Sequence, residues 1–131
     1  MQKSFHIATI KPFFSNIRKE LTKTPKIYFF DLGLRNYLLN NFEEFNYRID
    51  KGNLLENLVF NNLVSNYTKD NIKFWRTQNK NEIDFIVNDT EAYEVKTNLK
   101  LINEKKYSLF KKEYSNIPLD YIDLEKSLRI L

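Results

Sequence analysis

Cysteine is absent from the 131-residue chain. That excludes disulfides, thiolate metal sites and a cysteine nucleophile. Histidine occurs once, at His6, so no histidine cluster can form. Any bound metal would have to use oxygen ligands, the preference of hard ions such as Mg2+ or Mn2+. Two glycines and three prolines are too few for a low-complexity linker. No apolar run of about 18 residues occurs, so no membrane span is expected. The N-terminus lacks the apolar stretch of a signal peptide, and a cytoplasmic protein is the default expectation. No GxxxxGK[ST] pattern occurs, which excludes ATP hydrolysis by a P-loop mechanism within these residues.

What remains is core material and lysine. The chain is 42% hydrophobic and 15% aromatic, enough for one domain with a real core. Net charge is +4 with a pI of about 9.2, a balance compatible with a polyanionic partner.

Residues 1–25 read as a polar, basic N-terminal extension in which "SFHIATI" could form a short strand. "KIYFFD" (Lys26 to Asp31) is a short apolar strand. Asp31 is placed to cap a helix from Leu32 to Leu39. "NNFEEFNYRIDKG" reads as a polar loop. The strongest helix is "NLLENLVFNNLVSNYT", Asn53 to Thr68. There Glu56 shares a stripe with Val59, Phe60, Leu63 and Tyr67 at spacings of three and four. Strands are expected at Ile72–Thr77, Glu82–Val87 and Ala92–Lys96, joined by short polar connections. An amphipathic basic helix follows over Glu104–Tyr114, with Tyr107, Phe110 and Tyr114 on its apolar side. Pro118 ends it, and "PLDYIDL" reads as a last strand. From Gly52 onward the order is αβββαβ.

The stretch "NEIDFIVNDTEAYEVK" (Asn81 to Lys96) raises a chemical question. As a hairpin it places Ile83, Phe85, Val87, Tyr93 and Val95 on one face, and Asp84, Glu94 and Lys96 on the other. With the turn centred on Asp89, Asp84 lies opposite Glu94. Like charges directly opposite destabilise a ladder. Protonation, a nearby cation or a divalent metal must offset the repulsion. Lys96 can neutralise part of it. Glu56, costly to bury unpaired, can reach the same spot from its helix. Three carboxylates and one lysine suit a Mg2+ site that orients water and stabilises phosphoryl charge. Alternation alone leaves a second reading open: Glu82, Asp84, Glu94 and Lys96 as a solvated face with cross-strand ion pairs.

The pattern of Asp84, nine residues, then Glu94-Val95-Lys96 resembles the signature of the PD-(D/E)XK nuclease superfamily. More closely, "KIYFFDLGLRNYLL", "GNLLENLVFNNL", "FWRT", "EIDFIV" and "EVK" resemble segments of a C-terminal domain of unknown function that follows an AAA+ ATPase module in many prokaryotic proteins. The resemblance covers roughly Lys11 to the C-terminus. It implies an α/β fold with a restriction-endonuclease-like αβββαβ core, a mixed central sheet flanked by helices, over residues 26–131. Residues 1–25 would be the tail of a winged-helix segment. It further implies that Asp84 and Glu94 bind Mg2+ or Mn2+, that Glu56 completes the site and that Lys96 orients the attacking water. DNA would be the substrate, and an upstream ATPase domain or another protein the partner. The alternative is a catalytically inactive nuclease-like module that binds DNA or docks a protein. The pattern departs in two places: Ile83 stands where the signature proline would, and no Gln-x-x-x-Tyr, a motif of some nuclease branches, follows Lys96.

Among other residues, Trp75 is expected in the core and Arg76 in solvent, with a phosphate contact by Arg76 and help from Gln78 as the other reading. Lys105, Lys106, Lys111 and Lys112 form a basic helix surface, open either to solvent or to a DNA backbone. Gly33 is assigned to turn geometry.

Overall fold

The computed structural model describes residues 6–13 and 24–129. Most of the N-terminal extension, residues 1–5 and 14–23, lies outside them. Six strands form one mixed sheet in the order β2-β1-β3-β4-β5-β6, where β1 is Ile7–Pro12, β2 Lys26–Phe29, β3 Ile72–Arg76, β4 Glu82–Val87, β5 Glu91–Val95 and β6 Leu119–Ile122. The helices are α1 (Leu32–Leu38), α2 (Lys51–Asn66), α3 (Ser108–Glu113) and α4 (Leu124–Arg129). The αβββαβ run expected after Gly52 is α2-β3-β4-β5-α3-β6. The junctions β1/β3 and β5/β6 are parallel; β2/β1 is antiparallel, and β3/β4 and β4/β5 are antiparallel hairpins. Among the described residues no helix is long and apolar enough to cross a membrane.

β1 comes from the segment set apart as an extension, yet it lies inside the sheet between β2 and β3. Its alternation is the reason. Ala8 and Ile10 are each 1% exposed and join the main core.

The sheet separates two cores. On one face α2 presents Leu55, Val59, Phe60 and Leu63 to Ile72, Phe74, Phe85, Val87 and Ile122. Tyr28 stacks on Phe60 with centroids 4.6 Å apart, tying β2 to the same cluster. On the other face Tyr107 and Phe110 cover Trp75, Ile86 and Ala92. Full burial of such side chains contributes roughly 1.5–3 kcal/mol each. The expected helix over Glu104–Tyr114 divides into a 3-10 turn, Glu104–Tyr107, and α3, but its apolar side is the one expected.

Ile83 corrects the simple alternation. It packs with Trp75 and Ile86, opposite Phe85 and Val87. The β3–β4 register explains this: Lys73 faces Ile86 and Trp75 faces Ile83, so two steps on β3 match three on β4. The extra residue is a β-bulge, which resets the side to which following residues point. The hairpin itself keeps the expected register, with Phe85 facing Tyr93. Asn88 and Asp89 both take positive φ in its turn, a conformation Asn and Asp tolerate.

Two local assignments resolve simply. Asp31 caps α1, accepting the Leu34 N–H at 3.1 Å. Gly33 has no left-handed φ; a Cβ there would lie 3.1 Å from the capping Asp31 Oδ1. Proximity to the cap, rather than turn geometry, accounts for it.

Candidate active site

Residues from six elements line a cleft of about 370 Å³: Lys26, Asn53, Glu56, Arg76, Glu82, Asp84, Glu94 and Lys106. Three of the expected site residues, Glu56 on α2, Asp84 on β4 and Glu94 on β5, therefore meet in one place. Their approach depends on the bulge. α2 packs on the face of Phe85 and Val87, while the pleat of β5 sends Glu94 to the face of Ala92. Asp84, in the bulged stretch, reaches partners on both sides.

The centre of the cluster is a residue that the sequence did not single out. Lys26, the first residue of β2, places its ammonium 2.8 Å from Glu56 Oε1 and 3.5 Å from Asp84 Oδ1, in contact also with Glu82. The Lys26 side chain is only 14% exposed. Burial works against its charge, but Glu56, Asp84 and Glu82 outweigh it and hold the amine above its ordinary range. Lys26 thus remains an ammonium at neutral pH. Glu56 Oε1 also accepts the Tyr28 hydroxyl at 2.5 Å. Burial first, then repulsion by Asp84, pushes the Glu56 carboxyl up.

The Asp84–Glu94 repulsion is relieved in a second way. Glu94 is 5% exposed. Its carboxyl is pushed up to about 10, by burial first, then by a hydrogen bond with Asp84 and by that residue's charge. The protonated form of Glu94 is thereby favoured, and it can donate to Asp84. Asp84 Oδ2 in turn accepts the Val95 N–H at 2.9 Å.

Lys96 stands beside this group rather than in the cleft wall. Its ammonium lies 5.6 Å above the Tyr107 ring, and its charge favours the ionised form of Glu94. Its N–H donates to Ile122 O at 2.9 Å. Lys106 lines the cleft instead. Arg76, expected in solvent, lines it too; it pairs with Glu82 at 3.4 Å and lies 5.0 Å over the Phe74 ring. Trp75 is in the core at 2% exposure, as expected. Gln78 is not among the lining residues. Glu82 was detectable, since it stands two positions before Asp84, but it read equally well as a solvated acid. Lys26 carried no local signal.

The donors suit a hard divalent ion in kind, because every acid here offers oxygen. Lys26 Nζ marks a point where these oxygens converge on a positive charge. Among the described residues no group of three or more acidic or histidine side chains is arranged to hold a metal.

Comparison with domain families places residues 51–128 in a match to "Domain of unknown function (DUF4143)", more than half of the chain. Residues 1–44 match a second profile, "Domain of unknown function (DUF8612)". A search of curated proteins and a search of solved structures each found no match.

Proposed function

The chain belongs to the family Domain of unknown function (DUF4143), and we propose that its cleft is a nuclease-like site that binds DNA phosphodiesters and hydrolyses them with Mg2+ or Mn2+. The observation that carries this reading is the convergence of Glu56, Asp84 and Glu94 in a cleft that also carries Lys26, Arg76 and Lys106. Acids that hold a hard ion and cations that neutralise phosphate are the two halves of such a site. Asp84, Glu94 and Glu56 would hold the ion, which would polarise a phosphoryl oxygen and supply an activated water. Val95 N–H fixes the orientation of Asp84. Lys96, next to Glu94, is placed to favour its deprotonation. Arg76 and Lys106 would position the DNA backbone, with the exposed Lys105 and Lys112 extending that surface. An upstream ATPase domain, followed by a winged-helix segment whose tail would be residues 1–25, belongs to the same proposal.

The test compares wild type, Asp84→Ala and Lys96→Ala on single-stranded, duplex and branched DNA, with Mg2+, Mn2+ or chelator. Metal-dependent cleavage should fall by about a hundredfold or more in both variants. Equal cleavage by all three proteins would identify a contaminant and reject the site.

A specific observation favours a second reading, an inert docking module. Lys26 already pairs with Glu56 and Asp84, and burial favours the protonated form of Glu94. That reading expects DNA or protein retention at low salt and no cleavage with any metal.

A further inference from the structure

We propose that Lys26 is an internal counter-ion that keeps the carboxylate cluster closed to divalent ions, and that its side chain must swing out before Mg2+ or Mn2+ can be held. The inference rests on the nuclease-like reading of the cleft and assigns that cleft a gate.

Three observations carry it. First, Lys26 Nζ contacts Glu56, Glu82 and Asp84 together, so one ammonium occupies the point on which acids from α2 and β4 converge. A divalent ion placed there would lie against a like charge. The two cations exclude each other by repulsion, and they also share the same oxygens. Second, the site is half-dry. The Lys26 side chain is 14% exposed, that of Glu56 18% and that of Asp84 10%. Low exposure makes an uncompensated carboxylate cluster costly, so with Lys26 away another cation or a proton must offset its charge. Third, the lysine has somewhere to go. A second cleft of about 330 Å³ adjoins the first and shares Lys26, Asn53 and Glu56 with it. Its further wall includes Ile27, Tyr28, Arg35 and Leu39. Lys26 lines both clefts. Its backbone is held in β2, opposite Ile10 of β1, so only the side chain needs to move.

A site available only when Lys26 is out binds with its intrinsic affinity reduced by the open fraction. Removing the ammonium should restore that loss. Mn2+ and Mg2+ binding would be measured calorimetrically at low ionic strength for wild type and Lys26→Met, which keeps most of the stem. The variant should bind Mn2+ about tenfold or more tightly than wild type. Its thermal midpoint should be below that of wild type without metal and rise further on metal addition. Should Lys26→Met fail to fold, the wild-type protein supplies the test through the side-chain amine signal of Lys26 in nitrogen-15 NMR. On Mg2+ titration that signal should move toward those of solvent-exposed lysines, with the midpoint of Mg2+ binding. Binding without any change at Lys26, equal affinity in both proteins, or no binding by either would overturn the gate. The broader reading fails separately. Displacement of Lys26 without DNA cleavage leaves the gate standing and removes the nuclease. Metal-dependent cleavage with Lys26 undisturbed does the reverse.

Discussion

Asp84 Oδ2 accepts the backbone N–H of Val95 at 2.9 Å, while its Oδ1 lies 3.5 Å from Lys26 Nζ. One acid is thereby anchored to the neighbouring strand and paired with a distant one. The two roles separate by substitution. Asp84→Asn keeps an acceptor for Val95 but removes the charge facing Glu94. The Glu94 titration, followed by carbon-13 NMR of its carboxyl, should move down from about 10 in this variant. It should stay above the ordinary glutamate range, because burial is the larger cause. An unchanged midpoint would show that the two carboxyls are not coupled.

Glu94 also makes stability depend on pH. Its carboxyl is raised in the folded chain, so the folded state binds more protons than the unfolded one between about 4.5 and about 10. Stability from this group is complete below the unfolded value and erodes as pH rises through that window. Glu94→Gln removes the ionisation. At pH 8 the variant should melt about 5 °C above wild type, with the gap shrinking toward pH 5. Thermal denaturation across that range measures it, and a gap that widens toward pH 5 would contradict the sign.

Asn57 holds β2 in place by imitating a strand. Its Oδ1 accepts the Phe29 N–H at 2.9 Å and its Nδ2 donates to Phe29 O at 2.7 Å. It is 3% exposed, so water does not replace it readily. Asn57→Ala should cost about 1–3 kcal/mol in denaturant unfolding. Asn57→Asp should also destabilise, since a carboxylate can accept from the N–H but meets the carbonyl with like polarity. A neutral effect of both would show that the edge strand is held by other means.

A buried ion network secures the corner between α1 and α2. Asp50 pairs with Arg48 at 2.8 Å and with Arg35 at 3.0 Å. The Arg48 hydrogen bond is the main cause holding the Asp50 carboxyl down at about 2. Its contribution is present above the ordinary aspartate value and is lost as pH falls toward about 2. Asp50→Ala leaves Arg48 and Arg35, at 4% and 7% exposure, without their acid. Chemical denaturation should register a loss of about 3–5 kcal/mol. A loss under about 1 kcal/mol would mean that the pair behaves like a surface bridge.

Much of this molecule follows from local pattern. The stripe of Val59, Phe60 and Leu63 defined α2, Asp31 defined the start of α1, and the hairpin alternation paired β4 with β5, because helix and strand periods act between near neighbours. The same pattern put Asp84 and Glu94 opposite each other and stated that their repulsion required an answer. The answer was not local. Lys26 lies 30 positions from Glu56, and no periodicity links an edge strand to a helix so far along the chain. Ile83 was misplaced because a bulge is set by the pairing of two strands, not by one strand's alternation. Arg76 reached the cleft because Phe74 and Glu82 give it a packed ion pair there. The chain by itself determined which carboxylates would face each other, since side-chain direction repeats every two residues. Only the tertiary structure decided which positive charge would stand among them, since burial leaves such acids stable only beside whatever cation the fold brings into reach.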